Sequence, residues 1–121
     1  MDKVNSYRDL VVYQKAFKLA VAIFKVSSTF PKDEKFGGIT DQMRRSSRSV
    51  CANLAEGFGR WGSKTEERRF LSIALGSLEE TCVWLDFCQE FEFMTAEKVL
   101  KYHEAYDEVR RILKAMMYKR R

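Results

Sequence analysis

The sequence predicts an all-α protein, an antiparallel up-down four-helix bundle, and three observations carry that prediction. Apolar residues recur at spacings of three and four through four long segments, the period of helices buried along one side. Only 1 proline and 6 glycines stand among 121 residues, too few for the many tight turns of an all-β chain. No segment shows a convincing period-two strand pattern. The length suits one domain, residues 1–121, with a single core.

The first helix is expected over about 10–28, where Val12, Ala16, Leu19, Ile23 and Val26 form one line with Tyr13, Phe17, Ala20 and Phe24 beside it. Pro31 ends this segment, because the residue before a proline disfavours α geometry. The second helix, about 39–58, follows the Gly37-Gly38 break and sets Met43, Ser47, Val50 and Leu54 on one side, with Trp61 continuing the line. Ser63 and Glu66 make an S-x-x-E capping box that opens the third helix, about 65–91, whose seam is Leu71, Leu75, Leu78, Cys82 and Leu85. Thr95 is an N-cap for the fourth, about 96–118, with Val99, Tyr102, Tyr106, Val109, Leu113 and Met116 in register. Seams of this kind interdigitate, and short connections make consecutive helices antiparallel neighbours.

The net charge of +5 conceals a segregated chain. Residues 1–40 and 41–70 each carry +3, residues 71–97 carry −6 with no lysine or arginine, and residues 98–121 carry +5. One acidic helix therefore stands against basic flanks, which suits either charge pairing within or between subunits or a basic surface for phosphates. The candidate phosphate contacts are Arg44, Arg45 and Arg48 of the second helix, Arg60, Lys64, Arg68 and Arg69 around the start of the third, and Lys114, Lys119, Arg120 and Arg121 at the C-terminus. Nothing in them forms a base-reading element, so binding is expected to be indifferent to sequence.

Other motifs exclude chemistry. Gly57-Phe58-Gly59-Arg60-Trp61-Gly62 is a literal G-x-G-x-x-G, but it follows a helix where a dinucleotide fingerprint must follow a strand. The glycines read as a helix stop and a link, and the start of the third helix beside Arg60 and Lys64 remains a candidate phosphate site. His103 is the only histidine, and neither a di-iron pattern nor a nucleophilic triad can be assembled around it, so no metal or cofactor is expected. Cys51, Cys82 and Cys88, an odd number without a CxxC pair, read as free buried thiols of a reducing, cytoplasmic compartment. The N-terminus has no secretory leader pattern, and no apolar run reaches a membrane span. Along the second helix, Gln42, Ser46, Ser49, Asn53, Glu56 and Arg60 form a polar band beside the apolar face. This band predicts a hydrogen-bonded contact with another helix, of this chain or of a second subunit, and Gly76-Ser77 predicts a close helix approach on the third.

These features in this order resemble the four-helix-bundle proteins encoded in intervening sequences of bacterial 23S rRNA genes. The resemblance rests on Tyr7-Arg8-Asp9-Leu10-Val11-Val12-Tyr13-Gln14-Lys15-Ala16, with Tyr13 where tryptophan is usual, and on Phe30-Pro31 with Glu34 and Gly37-Gly38. It continues through Gln42-Met43-Arg44-Arg45, Ser49-Val50, Asn53-Leu54-Ala55-Glu56-Gly57 and Arg60, then Phe70-Leu71, Ala74, Gly76-Ser77-Leu78 and Glu80. Ser46 and Ser47 depart from the small apolar residues commoner there, and Thr81 from leucine. The resemblance implies a bundle that assembles as a ring, a pentamer first, with no enzymatic activity. It extends to the accessory proteins of diversity-generating retroelements, which bind nucleic acid and a reverse transcriptase. The expected function is thus a homo-oligomer that binds RNA or DNA, and the alternative is a scaffold whose basic residues meet a protein partner.

Overall fold

The computed structural model describes residues 4–119. Four helices run α1 (Val11–Ser27), α2 (Ile39–Gly59), α3 (Lys64–Glu90) and α4 (Ala96–Lys119), and no strand occurs among the described residues. Cross-helix partners run in opposite numerical order, which fixes the helices as antiparallel: Ser49 meets Ser77 and Ser46 meets Thr81 between α2 and α3. Glu79 meets Arg110 and Asp86 meets His103 between α3 and α4, while Lys15 meets Glu108 between α1 and α4. The up-down bundle follows from those pairings.

The ends of the helices are set by local chemistry. Ahead of α1, a single 3₁₀ turn (Tyr7–Asp9) is held by a reciprocal cap in which Ser6 Oγ accepts from the Arg8 amide and the Asp9 carboxylate accepts from the Ser6 amide at 3.0 Å. At the α1–α2 corner, the Glu34 carboxylate accepts from the Ile39 amide at 2.8 Å, standing in for an N-cap side chain on α2. Glycine is required there: Gly37 has φ +74°, and a Cβ on Gly38 would lie 2.6 Å from the Glu34 Cα. Thr95 caps α4 by accepting from the Lys98 amide at 3.2 Å. The capping box expected at α3 is half formed. Ser63 Oγ accepts from the Glu66 amide at 3.3 Å, but the Ser63 amide donates to the Arg60 carbonyl and the Glu66 carboxylate is taken by Arg69.

The seams of α3 and α4 close the core through Leu71, Leu78, Leu85, Val99, Tyr106, Val109 and Leu113, all at most 1% exposed. Met43, Val50 and Leu54 of α2 and Val12, Ala16 and Ile23 of α1 complete it. Trp61 departs from the expected line. It lies beyond the end of α2 and is 58% exposed, because the helix stops before bringing it round to the core. The apolar face of α1 is wider than the bundle covers, so Phe17 and Phe24 stay half exposed.

Candidate nucleic-acid interface

The predicted basic residues divide according to whether a carboxylate neutralises them. Arg45 donates to Asp41 at 3.0 Å, Arg69 to Glu66 at 2.9 Å, and Arg60 lies 3.7 Å from Glu56. The hydrogen bonds from Arg45 and Arg69 hold the Asp41 and Glu66 carboxyls below their ordinary range. These are solvent-exposed pairs within one turn of helix and add little to stability. Arg60 and Arg69 also lean over the Phe70 ring. The phosphate site expected at the start of α3 is thus partly occupied by the protein's own contacts.

Arg44 and Arg48 differ, since neither has a carboxylate within 4.0 Å among the described residues. Arg44 reaches across to α1. Its Nε donates to Ser27 Oγ at 2.8 Å, and its Nη2 donates to the Phe24 carbonyl at 3.0 Å and to Ser28 Oγ at 3.3 Å. A cation thus caps the negative end of α1, with its guanidinium 4.2 Å from the Phe24 ring centroid. Among the described residues Arg48 donates only to the Arg44 carbonyl of its own helix, and it lines a groove with Phe17 and Phe24.

Lys18 and Lys25 of α1, and Lys32 and Lys35 of the corner, are likewise exposed with no carboxylate partner among the described residues. Motif reading missed these four lysines. The +3 of residues 1–40 is the only signal of them in the sequence. Lys64 and Arg68 at the start of α3, and Lys114 and Lys119 near the end of α4, are exposed at the opposite end of the bundle. At 1.5 Å per residue, Arg44 and Arg60 stand ~24 Å apart along α2. The eleven candidates therefore form two fields, and Arg120 and Arg121 lie outside the described residues.

The polar band of α2 is an interhelix seam within the chain. Ser49 Oγ and Ser77 Oγ lie 2.8 Å apart, and Asn53 Nδ2 donates to Ser49 Oγ at 3.0 Å and to the Ser49 carbonyl. One turn earlier, Thr81 Oγ1 donates to the buried Ser46 Oγ at 2.7 Å. Gln42 sits half-buried on this band, while Glu56 points to Arg60 and takes no part in the seam. Gly76 corrects the expected close approach: a Cβ there would meet nothing within 4 Å, and Ser77 makes the contact instead.

A model of the 23S rRNA-intervening sequence protein family matches residues 8–115, nearly the whole of this bundle. The chain belongs to that family. A solved member of similar fold is a protein of unknown function from the S23 ribosomal protein family of Bacteroides thetaiotaomicron, whose crystal structure was determined at 1.70 Å. It is 26% identical, with a TM-score of 0.80 over 89% of this chain and 96% of that one. No curated protein matches the sequence. Two of the departures from the usual pattern, Ser46 and Thr81, are hydrogen-bonded to each other.

The remaining reactive side chains are quiet. Burial pushes the Cys51 and Cys82 thiols up to about 11 and Cys88 to about 12, so all three are protonated at neutral pH. His103 is bonded to Asp86 at 2.7 Å. Among the described residues no group of three His, Cys, Asp or Glu is placed to hold a metal ion, and no helix is long and apolar enough to cross a membrane.

Proposed function

We propose that this protein is a non-enzymatic homo-oligomer that holds RNA or DNA through backbone phosphates. The observation that carries this reading is the field of Lys18, Lys25, Lys32, Lys35, Arg44 and Arg48 along α1, the corner and the first half of α2, none within 4.0 Å of a carboxylate among the described residues. Cations without a carboxylate partner attract a polyanion by releasing its counterions. Burial keeps the three thiols protonated at neutral pH, which removes them as nucleophiles. The family's own description makes rRNA the first ligand to try.

Self-assembly is supported by a second stripe on α3. Ile73, Val83, Phe87 and Phe91 are 40–50% exposed on a helix that is acidic past Phe70. The groove on α1 and α2 is apolar with one cation, Arg48, in its lining, so it suits the apolar stripe of α3. Joining unlike faces is heterologous and closes into a ring when the rotation allows, a pentamer being the form expected. The same α3 stripe favours a second reading, a scaffold that docks a protein such as a reverse transcriptase.

Filter binding of an rRNA fragment and a generic duplex at about 50 mM salt tests the first reading. Affinity that falls with a log–log slope of about −0.9 for each phosphate neutralised on duplex DNA is expected, and absence of binding at that salt overturns it. Charge reversal at Lys25 and Arg48 separates the alternatives, sparing Arg44 because it caps α1. Loss of nucleic acid with the assembly intact supports phosphate binding, and loss of the assembly assigns these cations to a subunit contact.

A further inference from the structure

We infer that the corner between α1 and α2 is a phosphate site for a nucleic-acid strand, with Arg44, Thr40, Lys32 and Lys35 as its ligands and Phe36 as the platform for a neighbouring base. This rests on the nucleic-acid reading above and assigns that reading a place. A cleft of about 340 Å³ opens there, lined by those four ligand residues together with Phe24 and Ser28.

Two mismatches meet in it. Thr40 is 4% exposed, and its hydroxyl has no hydrogen-bond partner among the described residues. A buried donor without an acceptor costs about 1–3 kcal/mol, so such groups are rare unless something binds them. The half-buried Arg44 guanidinium is the second. Its Nε and Nη2 are spent on neutral oxygens, and among the described residues its Nη1 has no hydrogen-bond partner and no carboxylate lies within 4.0 Å of it.

The acids of the corner do not fill the need. Glu34 is taken by the Ile39 amide, and Asp41 by Arg45 and the Gly37 amide. Asp33 is exposed and does not line the cleft. A tetrahedral oxyanion suits a site whose donors arrive from several directions: a planar guanidinium edge, a hydroxyl and two flexible ammonium groups. Phe36 is 86% exposed beside it, with Lys35 Nζ 5.7 Å from its ring centroid. An exposed aromatic next to a phosphate site offers a surface on which a base can stack, which points to a strand over a free ion.

The test uses the full chain with a fluorescent single-stranded RNA and, separately, inorganic phosphate followed by NMR at Thr40 and Arg44. Thr40→Val removes the unpartnered hydroxyl at nearly constant shape. It is expected to melt no lower than the wild type while binding RNA several-fold more weakly, a combination that a purely structural role does not produce. The exposed pair Lys32→Ala with Lys35→Ala is expected to bind about tenfold more weakly and to reduce the salt slope by about 0.7, the share of one phosphate on a single strand. Phe36→Ala weakens RNA without changing the phosphate titration.

Wild-type RNA affinity in the Thr40 and lysine variants, with loss in a Lys64→Ala, Arg68→Ala control, overturns the corner site and leaves nucleic-acid binding in place at the other end. Phosphate shifts at Thr40 and Arg44 without any RNA binding overturn the strand as ligand and make this a free-phosphate site. No response to either probe overturns the site and the nucleic-acid reading together.

Discussion

Thr81 and Ser46 each depart from the family pattern, and they are each other's partner across 2.7 Å. Each hydroxyl also reaches a carbonyl of its own helix, Thr81 that of Ser77 at 2.9 Å and Ser46 that of Met43 at 3.3 Å, so losing one costs the other its cross-helix partner only. Thr81→Val should therefore cost about 0.5–1.5 kcal/mol in urea unfolding, and the double change with Ser46→Ala should cost less than the two single changes summed. Tyr106 is fully buried with no hydrogen-bond partner for its hydroxyl among the described residues. Tyr106→Phe should leave stability unchanged or raise it by up to about 1 kcal/mol, read as a shift of the urea midpoint at constant slope. The buried thiols carry a pH dependence. Unfolded cysteines lose their protons near pH 8.5, while Cys51, Cys82 and Cys88 hold theirs to about 11, 11 and 12. The unfolded state then binds fewer protons, so the stability these groups hold at neutral pH is lost as pH rises through that window. Urea midpoints that fall from about pH 8.5 upward are expected, with a smaller fall in a triple Cys→Ala protein.

At the scale of the element, α3 has two apolar faces and only one is used within the chain. Leu71, Leu78 and Leu85 face the core at intervals of seven, whereas Ile73, Gly76, Val83 and Phe87 face outward at intervals of three, seven and four, with Glu80 among them. Glycine inside a helix costs about 0.5–1 kcal/mol relative to alanine, and a Cβ at Gly76 would meet nothing within 4 Å among the described residues. Gly76→Ala should raise the stability of the isolated protomer by that amount. Light scattering then distinguishes the roles of this face. An assembly that dissociates in the variant places a second chain against Gly76, and an unchanged assembly removes Gly76 from the contact. The strict repeat of α3 made its core seam legible in the sequence. The outward stripe was not legible, because a helix with apolar residues on both sides does not announce which side its own chain will cover.

At the scale of the whole molecule, the net charge of +5 is the residue of pairings made and missed. Part of the acidity of α3 is answered by α4, where Glu79 holds Arg110 at 2.6 Å and Asp86 holds His103 at 2.7 Å. Among the described residues the basic first forty find one such partner, Lys15 with Glu108 at 2.7 Å, and Lys18, Lys25, Lys32 and Lys35 have no carboxylate within 4.0 Å. Binding of RNA should therefore depend more on Lys25, Lys32 and Lys35 than on Arg45 or Arg69, which already have carboxylates. Parallel salt titrations of Lys→Ala variants in the first group and Arg→Ala variants in the second should show steep and near-zero losses of slope respectively.

The four helices, their antiparallel order and the core seams were determined by the sequence alone, because hydrophobic period, caps and breaks act over a few neighbouring residues. The polar band of α2 was visible in the same way, though not that Ser77 and Thr81 of the same chain would satisfy it. Which cations keep a free charge was decided only by the tertiary structure. Arg44 meets oxygens 16 to 20 residues away, and Arg110 meets a carboxylate 31 residues away. A salt bridge is a fact of three-dimensional neighbourhood, so residues alike in the sequence, such as Arg44 and Arg45, end with opposite electrostatic roles.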